Sequence, residues 1–187
     1  MATAGKTAAG QNLYVSDPQA YRDRLYGLLG EQNPLDVMEQ TAAALAEIAR
    51  RHSAELLRAR LFEGKWTANE VIGHLADGEL VYGYRMRLIL SEDDPPLIGT
   101  NQDQWVVRQR HNEREPAEHV QAFAALRALN LAVWKHLSPA DLARAGRHNE
   151  RGAESLAVML RLTAGHDLSH LAQIRRHIEA ASERLSH

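Results

Sequence analysis

The sequence predicts an all-α protein, a four-helix bundle preceded by a short extra N-terminal helix. Four long segments carry apolar residues at helical spacing, capping residues and prolines mark their ends, and almost no segment alternates like a β-strand. A chain of 187 residues falls within the size range of one compact domain. We therefore predict a single domain over residues 16–187, preceded by a flexible tail at residues 1–15.

The short helix and the first long helix each begin with a capping residue and a proline. In SDPQAYRDRLYGLL, Ser16 is the predicted N-cap and Pro18 lies in the first turn. Asn33 and Pro34 form the second pair, and the helix that they start is predicted to reach about Arg60. Its apolar stripe consists of Leu35, Met38, Leu45, Ile48, His52 and Leu56.

The second long helix begins with a capping box in KWTANE, where Thr67 and Glu70 stand three residues apart. We predict that it ends near Leu90, because SEDDPPLIGTNQD follows with two prolines and a glycine. The connection after it is long, and residues 104–110 are predicted to form a short helix within it.

The third long helix starts at Pro116, and a brief helical turn follows at Ser138 and Pro139. The third helix has the apolar stripe Val120, Phe123, Leu126, Val133, Trp134 and Leu137. Residues 145–154, AGRHNERGAE, are predicted to be an irregular link, after which Ser155 caps the fourth long helix. The stripe of this last helix is Leu156, Met159, Leu160, Leu171, Ile174 and Ile178.

The composition excludes several functional classes. The chain has no cysteine, so it has no disulfide, thiolate ligand or cysteine nucleophile of its own. A formal net charge of -2 disfavours nucleic acid and anionic membranes as partners. No apolar run reaches the length of a membrane span and the N-terminus lacks a signal-peptide pattern, so a cytoplasmic location is the default expectation.

Two histidines four residues apart, in GHDLSH, stand on one face of the fourth long helix. His166 and His170 share this face with Met159 and Ile174, so both rings are expected to point into the bundle or along its edge. Such a pair alone is more often two hydrogen-bonded polar residues than a metal site.

A third histidine strengthens the metal interpretation. His74, in VIGHLAD, lies on the inward face of the second long helix, and Gly78 one turn later leaves open volume beside it. Three neutral imidazoles from two helices would bind a metal on one side and leave coordination positions for water and substrate. The glutamate of the HExxH motif is absent, so a zincin protease is not implied.

Three further positions each allow a functional and an ordinary interpretation. Asp77 could orient an imidazole, act as a base, or be a solvated surface carboxylate. His52 could contact substrate or hydrogen-bond near His74, but a histidine at the rim of the bundle is the commoner case. Gln173 is a polar anchor or a solvated helix residue.

In the long connection, Trp105 and Arg108 are candidates for substrate binding, with core filling and surface charge as the alternatives. No spacing argument applies to the other histidines, which we expect at the surface: His111, His119, His136, His148, His177 and His187.

The stretches KWTANEVIGHLADGE and RLTAGHDLSHLAQIRRHI, together with HNERG, resemble the DinB-like, YfiT-type superfamily over about residues 33–180. The resemblance implies a four-helix bundle, often dimeric, with a divalent metal held by His74, His166 and His170. Members with known activity are thiol S-transferases, including bacillithiol transferases and mycothiol-dependent maleylpyruvate isomerase. Relatives often carry a further histidine where this chain has Ser169. The ligand set is unaffected, but a supporting role at that position is in doubt.

These observations lead to a hypothesis of a metal-dependent enzyme acting on a small molecule. The metal, Zn²⁺ or Ni²⁺ with Fe, Mn and Co as further candidates, would lower the pKa of a low-molecular-weight thiol or of water, for S-transfer or hydrolysis. The rival hypothesis is a non-catalytic, stress-associated binding or scaffold bundle with a structural metal or none. A homodimer is expected from the resemblance, with no nucleic-acid or membrane partner.

Overall fold

The computed structural model describes residues 17–185, and eight α-helices lie within this range. In chain order the elements are α1 (Pro18–Leu29), α2 (Pro34–Arg51), α3 (Ala54–Arg58), α4 (Ala68–Ser91), β1 (Pro96–Leu97), α5 (Gln102–Arg108), a 3₁₀ helix (His111–Glu113), α6 (Pro116–Trp134), α7 (Pro139–Ala143), β2 (Ala145–His148), β3 (Gly152–Ser155) and α8 (Leu156–Leu185). The predicted tail at residues 1–15 lies outside the described residues.

The four long helices α2, α4, α6 and α8 pack together as a bundle, and α1 lies against α8. Their apolar faces form two buried clusters. One cluster includes Leu45, Val71, Ile72, Leu75, Phe123 and Ile174. The other includes Met38, Met86, Ile89, Trp134 and Met159. Burying each such side chain contributes roughly 1.5–3 kcal/mol, so this packing dominates the stability of the bundle. The prediction of an all-α four-helix bundle is confirmed.

A buried ion-pair network contacts both clusters. The Arg127 guanidinium on α6 donates to Asp167 of α8 at 2.6 and 3.0 Å and to Glu79 of α4 at 2.9 Å. It also donates to the Met38 carbonyl at 2.7 Å and lies 4.6 Å from the centroid of the Phe123 ring. The network thereby connects α4, α6 and α8 in the middle of the bundle.

Most helix starts agree with the capping signals. Asn33 caps α2, Thr67 and Glu70 form a complete capping box on α4, and Ser138 caps α7. At the start of α1 the capping side chain is Asp17, which accepts from the Ala20 amide at 2.9 Å. The predicted cap, Ser16, lies outside the described residues.

The first long helix is shorter than predicted. It ends at Arg51 rather than near Arg60, His52 adopts an extended conformation, and α3 starts after Ser53. The Ser53 hydroxyl accepts from the Leu56 amide at 3.2 Å, so it caps a new helix instead of continuing the old one. Leu56, which belongs to the predicted apolar stripe, packs against the core but is only partly buried, and the fully buried residue of α3 is Leu57.

The prediction of an irregular link over residues 145–154 is wrong. This segment forms the hairpin β2–β3, and β1 pairs in parallel with β2 to complete a three-stranded sheet. Gly152 has φ of 78°, which favours glycine at the start of β3. The sheet holds the segment after α4, including residues 98–100, against the bundle.

Two smaller boundaries also differ. The short helix in the connection is Gln102–Arg108 rather than residues 104–110, and α6 ends at Trp134, before Leu137. Among residues 17–185 no helix combines the length and apolar character needed to cross a membrane.

Candidate metal centre

Three imidazole nitrogens converge between α4 and α8. His166 Nε2 lies 3.1 Å from His74 Nε2 and 3.1 Å from His170 Nε2. One ligand atom from each of the three rings lies within 4.8 Å of the other two, and among the described residues this is the group with metal-ligand geometry. His166 and His170 are one turn apart on α8, while His74 comes from the facing helix.

Neighbouring side chains fix the orientation of these rings. His170 Nδ1–H donates to Gln173 Oε1 at 2.9 Å, which leaves the lone pair of His170 on Nε2, facing the centre. The Trp66 ring packs 4.8 Å from the His74 ring, centroid to centroid. Gln173 is therefore the polar anchor that the sequence allowed, and not a solvated residue.

Burial keeps the three rings neutral. It lowers the pKa of His74 and His166 well below the ordinary value, with a further contribution from the neighbouring histidines, and it lowers the pKa of His170 to about 4. Neutral imidazole is the form that binds metal ions.

A divalent cation suits this arrangement better than hydrogen bonds do. His170 Nε2 carries a lone pair and can only accept a hydrogen bond. His166 Nε2 either donates its single N–H or accepts with its lone pair, so it cannot hydrogen-bond to both neighbours at 3.1 Å. With metal–nitrogen bonds of about 2.0–2.1 Å, a nitrogen separation of 3.1 Å corresponds to an angle of roughly 95–100° at the ion. This angle lies between octahedral and tetrahedral geometry, so the donor set fits a first-row divalent metal.

A small chamber opens beside the rings. Its volume is about 20 Å³, enough for at least one water molecule. Its walls include His74, His166, Asp77, Gly78, Tyr82 and Trp105. A Cβ at Gly78 would stand 4.0 Å from His166 Cε1, an ordinary contact, so the glycine widens the chamber without being sterically required.

Asp77 is a chamber carboxylate and not a solvated surface group. It is 8% exposed, and its Oδ2 accepts from His111 Nε2–H at 2.8 Å and from Gln109 Nε2 at 2.9 Å. No described residue makes a hydrogen bond to Oδ1. Asp77 does pair with an imidazole, as one alternative proposed, but this imidazole is outside the three-histidine cluster.

His111 was expected at the surface, and this expectation is wrong because the residue is 2% exposed. The Asn69 side chain donates to the carbonyls of His111 and Arg114, 2.9 Å each, and so holds the 3₁₀ helix against the start of α4. Gly73 makes room for the ring, since a Cβ there would come within 2.7 Å of His111 Cγ. This glycine, next to His74 in the sequence, is the signal that could have revealed the contact.

Among the other histidines that were expected at the surface, some are buried and one is exposed. His119, His148 and His177 are also buried, contrary to expectation, whereas His136 is exposed and His187 lies outside the described residues. His52 is partly exposed at the end of α2 and does not belong to the three-histidine group.

Two more candidates are resolved by position. Trp105 lines the chamber, whereas Arg108 is exposed and its guanidinium reaches only Gln104, at 3.5 Å. The Ser169 hydroxyl accepts a hydrogen bond from Arg24 Nη1 at 2.9 Å and so connects α1 to α8.

Tyr82 is a chamber residue that the sequence did not indicate. Burial raises the pKa of this chamber phenol to about 12, which keeps it a hydrogen-bond donor at neutral pH.

Comparison with known proteins identifies relatives of this chain. A relative from Oceanobacillus iheyensis, named "Putative metal-dependent hydrolase OB0782", is 30% identical over 112 residues, which cover 59% of this chain and 64% of the relative. The match thus spans just under two thirds of that protein. A second protein of that organism, OB0413, carries the same description and is 24% identical over 142 residues, 75% of this chain and 81% of the relative.

Among solved structures, YfiT from Bacillus subtilis is described as a probable metal-dependent hydrolase with an unusual four-helix bundle topology. It superposes with a TM-score of 0.72 at 20% identity, over 98% of this chain and 94% of that chain, which shows a shared fold. A family model described as the DinB superfamily matches residues 38–174. That range includes all three clustered histidines, and the chain belongs to the DinB superfamily.

Proposed function

We propose that this protein is a metal-dependent hydrolase in which His74, His166 and His170 hold a divalent cation, with Zn²⁺ or Ni²⁺ preferred. The observation that carries the proposal is the convergence of three imidazole Nε2 atoms, two of them from histidines that line a chamber with a carboxylate in its wall. When bound, the cation would lower the pKa of a water molecule or thiol in the chamber.

Asp77 is the proton acceptor in this scheme. Its Oδ2 is held by His111 and Gln109, and Oδ1 has no hydrogen bond to a described residue, so this oxygen can take a proton from the nucleophile. The two donors come from the segment between α5 and α6, which makes His111 a positioning residue for Asp77.

Tyr82 supplies the opposite function. Tyr82 lines the same chamber, and its protonated hydroxyl would donate to the negative charge that develops on a carbonyl oxygen under attack. Base, donor and metal-binding side chains thereby surround one water-sized volume.

Transfer of an external thiol is the second candidate. It is supported by the absence of cysteine, which means that any thiolate must come from a low-molecular-weight compound. Hydrolysis ranks first because the relatives OB0782 and OB0413 are described as putative metal-dependent hydrolases.

The test begins with metal analysis of protein purified without an affinity tag. Wild type is expected to hold about one ion per chain, and His170→Ala should lose affinity by orders of magnitude. His136→Ala is the matched control, because His136 is exposed in the turn after α6 and its ring bonds the carbonyl of Ala132. Full metal content in His170→Ala would refute the proposal and favour the non-catalytic scaffold.

The second step separates the two chemistries. The metal-loaded protein is assayed with activated esters in water alone and with added low-molecular-weight thiols. Ester hydrolysis without thiol supports the hydrolase, whereas turnover that requires thiol and yields the thioester supports S-transfer.

A further inference from the structure

A second, larger cavity adjoins the chamber. Its volume is about 590 Å³, and it shares the wall residues Val81, Arg85, Thr100 and Trp105 with the chamber. Cavities of this size take small organic ligands. Because the chamber is small, a substrate that reacts there must place most of its atoms elsewhere. The adjoining cavity and the chamber are therefore neighbours, with these four residues between them.

We call this second cavity the apolar groove, because its walls are mainly hydrophobic. Leu80, Tyr84 and Leu88 follow one another at four-residue spacing on α4, and Ile98 stands opposite in the segment after β1. Leu80, Tyr84 and Ile98 are 53%, 67% and 66% exposed. Single exposed hydrophobic residues are ordinary, but three of them around one concavity beside a reactive centre indicate a binding surface.

The groove is formed in advance of any ligand. Arg85, buried at the junction with the chamber, donates a hydrogen bond to the Ile98 carbonyl, and its guanidinium lies 5.8 Å from the centroid of the Tyr82 ring. Leu97 is buried in the core, and its strand pairs with β2. The wall that carries Ile98 is therefore held by backbone pairing, core packing and a charged donor.

From this geometry we infer that the apolar groove binds an alkyl or aryl group of the substrate, while the carbonyl carbon joined to that group reaches the chamber. The inference rests on the proposed function and narrows its substrates to esters with an apolar acyl group. Water adds to the carbonyl carbon and gives its proton to Asp77. The bond from that carbon to the alcohol oxygen then breaks, and the proton passes to the departing alkoxide.

The first test measures binding without metal or turnover. Octanoate and butyrate are titrated calorimetrically into the metal-free protein. Each methylene that enters the groove should tighten binding by up to about fourfold. Leu80→Asp should weaken octanoate binding at least tenfold. Leu129→Asp is the matched control, because Leu129 is a 58% exposed helix residue outside the groove, and it should bind octanoate like wild type. Equal affinity for the two acids, or none for either, would overturn the inference.

The second test uses the zinc-loaded protein and 4-nitrophenyl esters of acetate, butyrate and octanoate. The ratio of kcat/KM for octanoate to that for acetate should exceed ten in wild type and Leu129→Asp, and should fall in Leu80→Asp. Failure of the proposed function would appear as absent metal and absent hydrolysis, with chain-length-dependent binding intact. Failure of the groove would appear as hydrolysis with no chain-length preference.

Self-association is the competing use of this surface. Sedimentation equilibrium of wild type, Leu80→Asp and Leu129→Asp would detect it. A dimer that Leu80→Asp alone dissociates, combined with no binding of octanoate, would assign the groove to a second copy of the chain and refute the substrate role.

Discussion

Acidification should destabilise the metal-free protein, because the bundle encloses histidines in their neutral form. Burial lowers the pKa of His170 to about 4, and it holds the pKa values of His74 and His166 well below the ordinary range. In the unfolded chain a histidine titrates near 6.5. As the pH falls below 6.5, the unfolded state binds protons that the folded state does not. The free energy of unfolding therefore decreases as the pH is lowered, until the pH passes below the pKa of the histidine in the folded state.

The magnitude can be worked out for His170. A folded pKa of about 4 against about 6.5 in the unfolded chain removes about 2 kcal/mol of stability between pH 7 and pH 5. His74 and His166 each add up to about 1.4 kcal/mol for every pH unit well below 6.5. Domains of this size are stable by roughly 5–15 kcal/mol, so these losses are a large fraction of the total.

The assay is urea denaturation followed by circular dichroism at pH 7, 6 and 5, with a chelator present. Wild type should lose about 2 kcal/mol more between pH 7 and pH 5 than His170→Gln, which lacks that titrating group. His136→Gln, at an exposed site, should lose as much as wild type. Equal losses in wild type and His170→Gln would refute the neutral, buried state of the ring and with it the argument for a vacant lone pair on Nε2.

Three further predictions concern residues around the histidines. Asp77→Asn should retain metal but lower kcat about 10²–10⁴-fold; unchanged kcat would exclude Asp77 as the base. Gln173→Leu should weaken zinc affinity by about 10–100-fold in a chelator competition, since His170 Nδ1 loses its acceptor. Gly73→Ala should cost about 1–3 kcal/mol in urea denaturation because its Cβ would lie 2.7 Å from His111 Cγ. Gly78→Ala, with only a 4.0 Å contact, should be neutral or stabilising by up to about 1 kcal/mol, and a destabilised Gly78→Ala would contradict this comparison.

The helix ends were predictable where their causes are local. A capping box at Thr67 and Glu70, or a proline after Asn33, acts within four residues and is visible in the sequence. The break at Ser53 was not predicted, because the apolar period continues across it and only the conformation of His52 reveals the end of α2. The β2–β3 hairpin was not predicted, because its strands are short and polar. The pairing that stabilises them involves a segment about fifty residues earlier in the chain.

The same distinction applies to the site. Helical spacing placed His166 and His170 on one face, and the sequence also placed His74 on an inward face. The pairing of Asp77 with His111 was not predicted, because His111 belongs to the connection after α5 and contacts α4 only in the folded protein; Gly73 was its one sign in the sequence. The apolar groove was not predicted either. Arg85 and the small sheet hold Ile98 against α4, and these contacts are not visible in the sequence.

The ion-pair network explains how the two helices that carry the histidines keep their relative positions. His166 and Asp167 are adjacent on α8, and they face different neighbours: His74 on α4, and Arg127 on α6. Arg127 also binds Glu79, one turn and a half beyond His74 on α4, so one guanidinium links both helices that carry the histidines. Buried ion pairs add little net stability because desolvation offsets their attraction. Their directional bonds do fix the rotation of each helix about its axis. We infer that the network maintains the 3.1 Å separations between nitrogens, which apolar packing alone would leave free to drift.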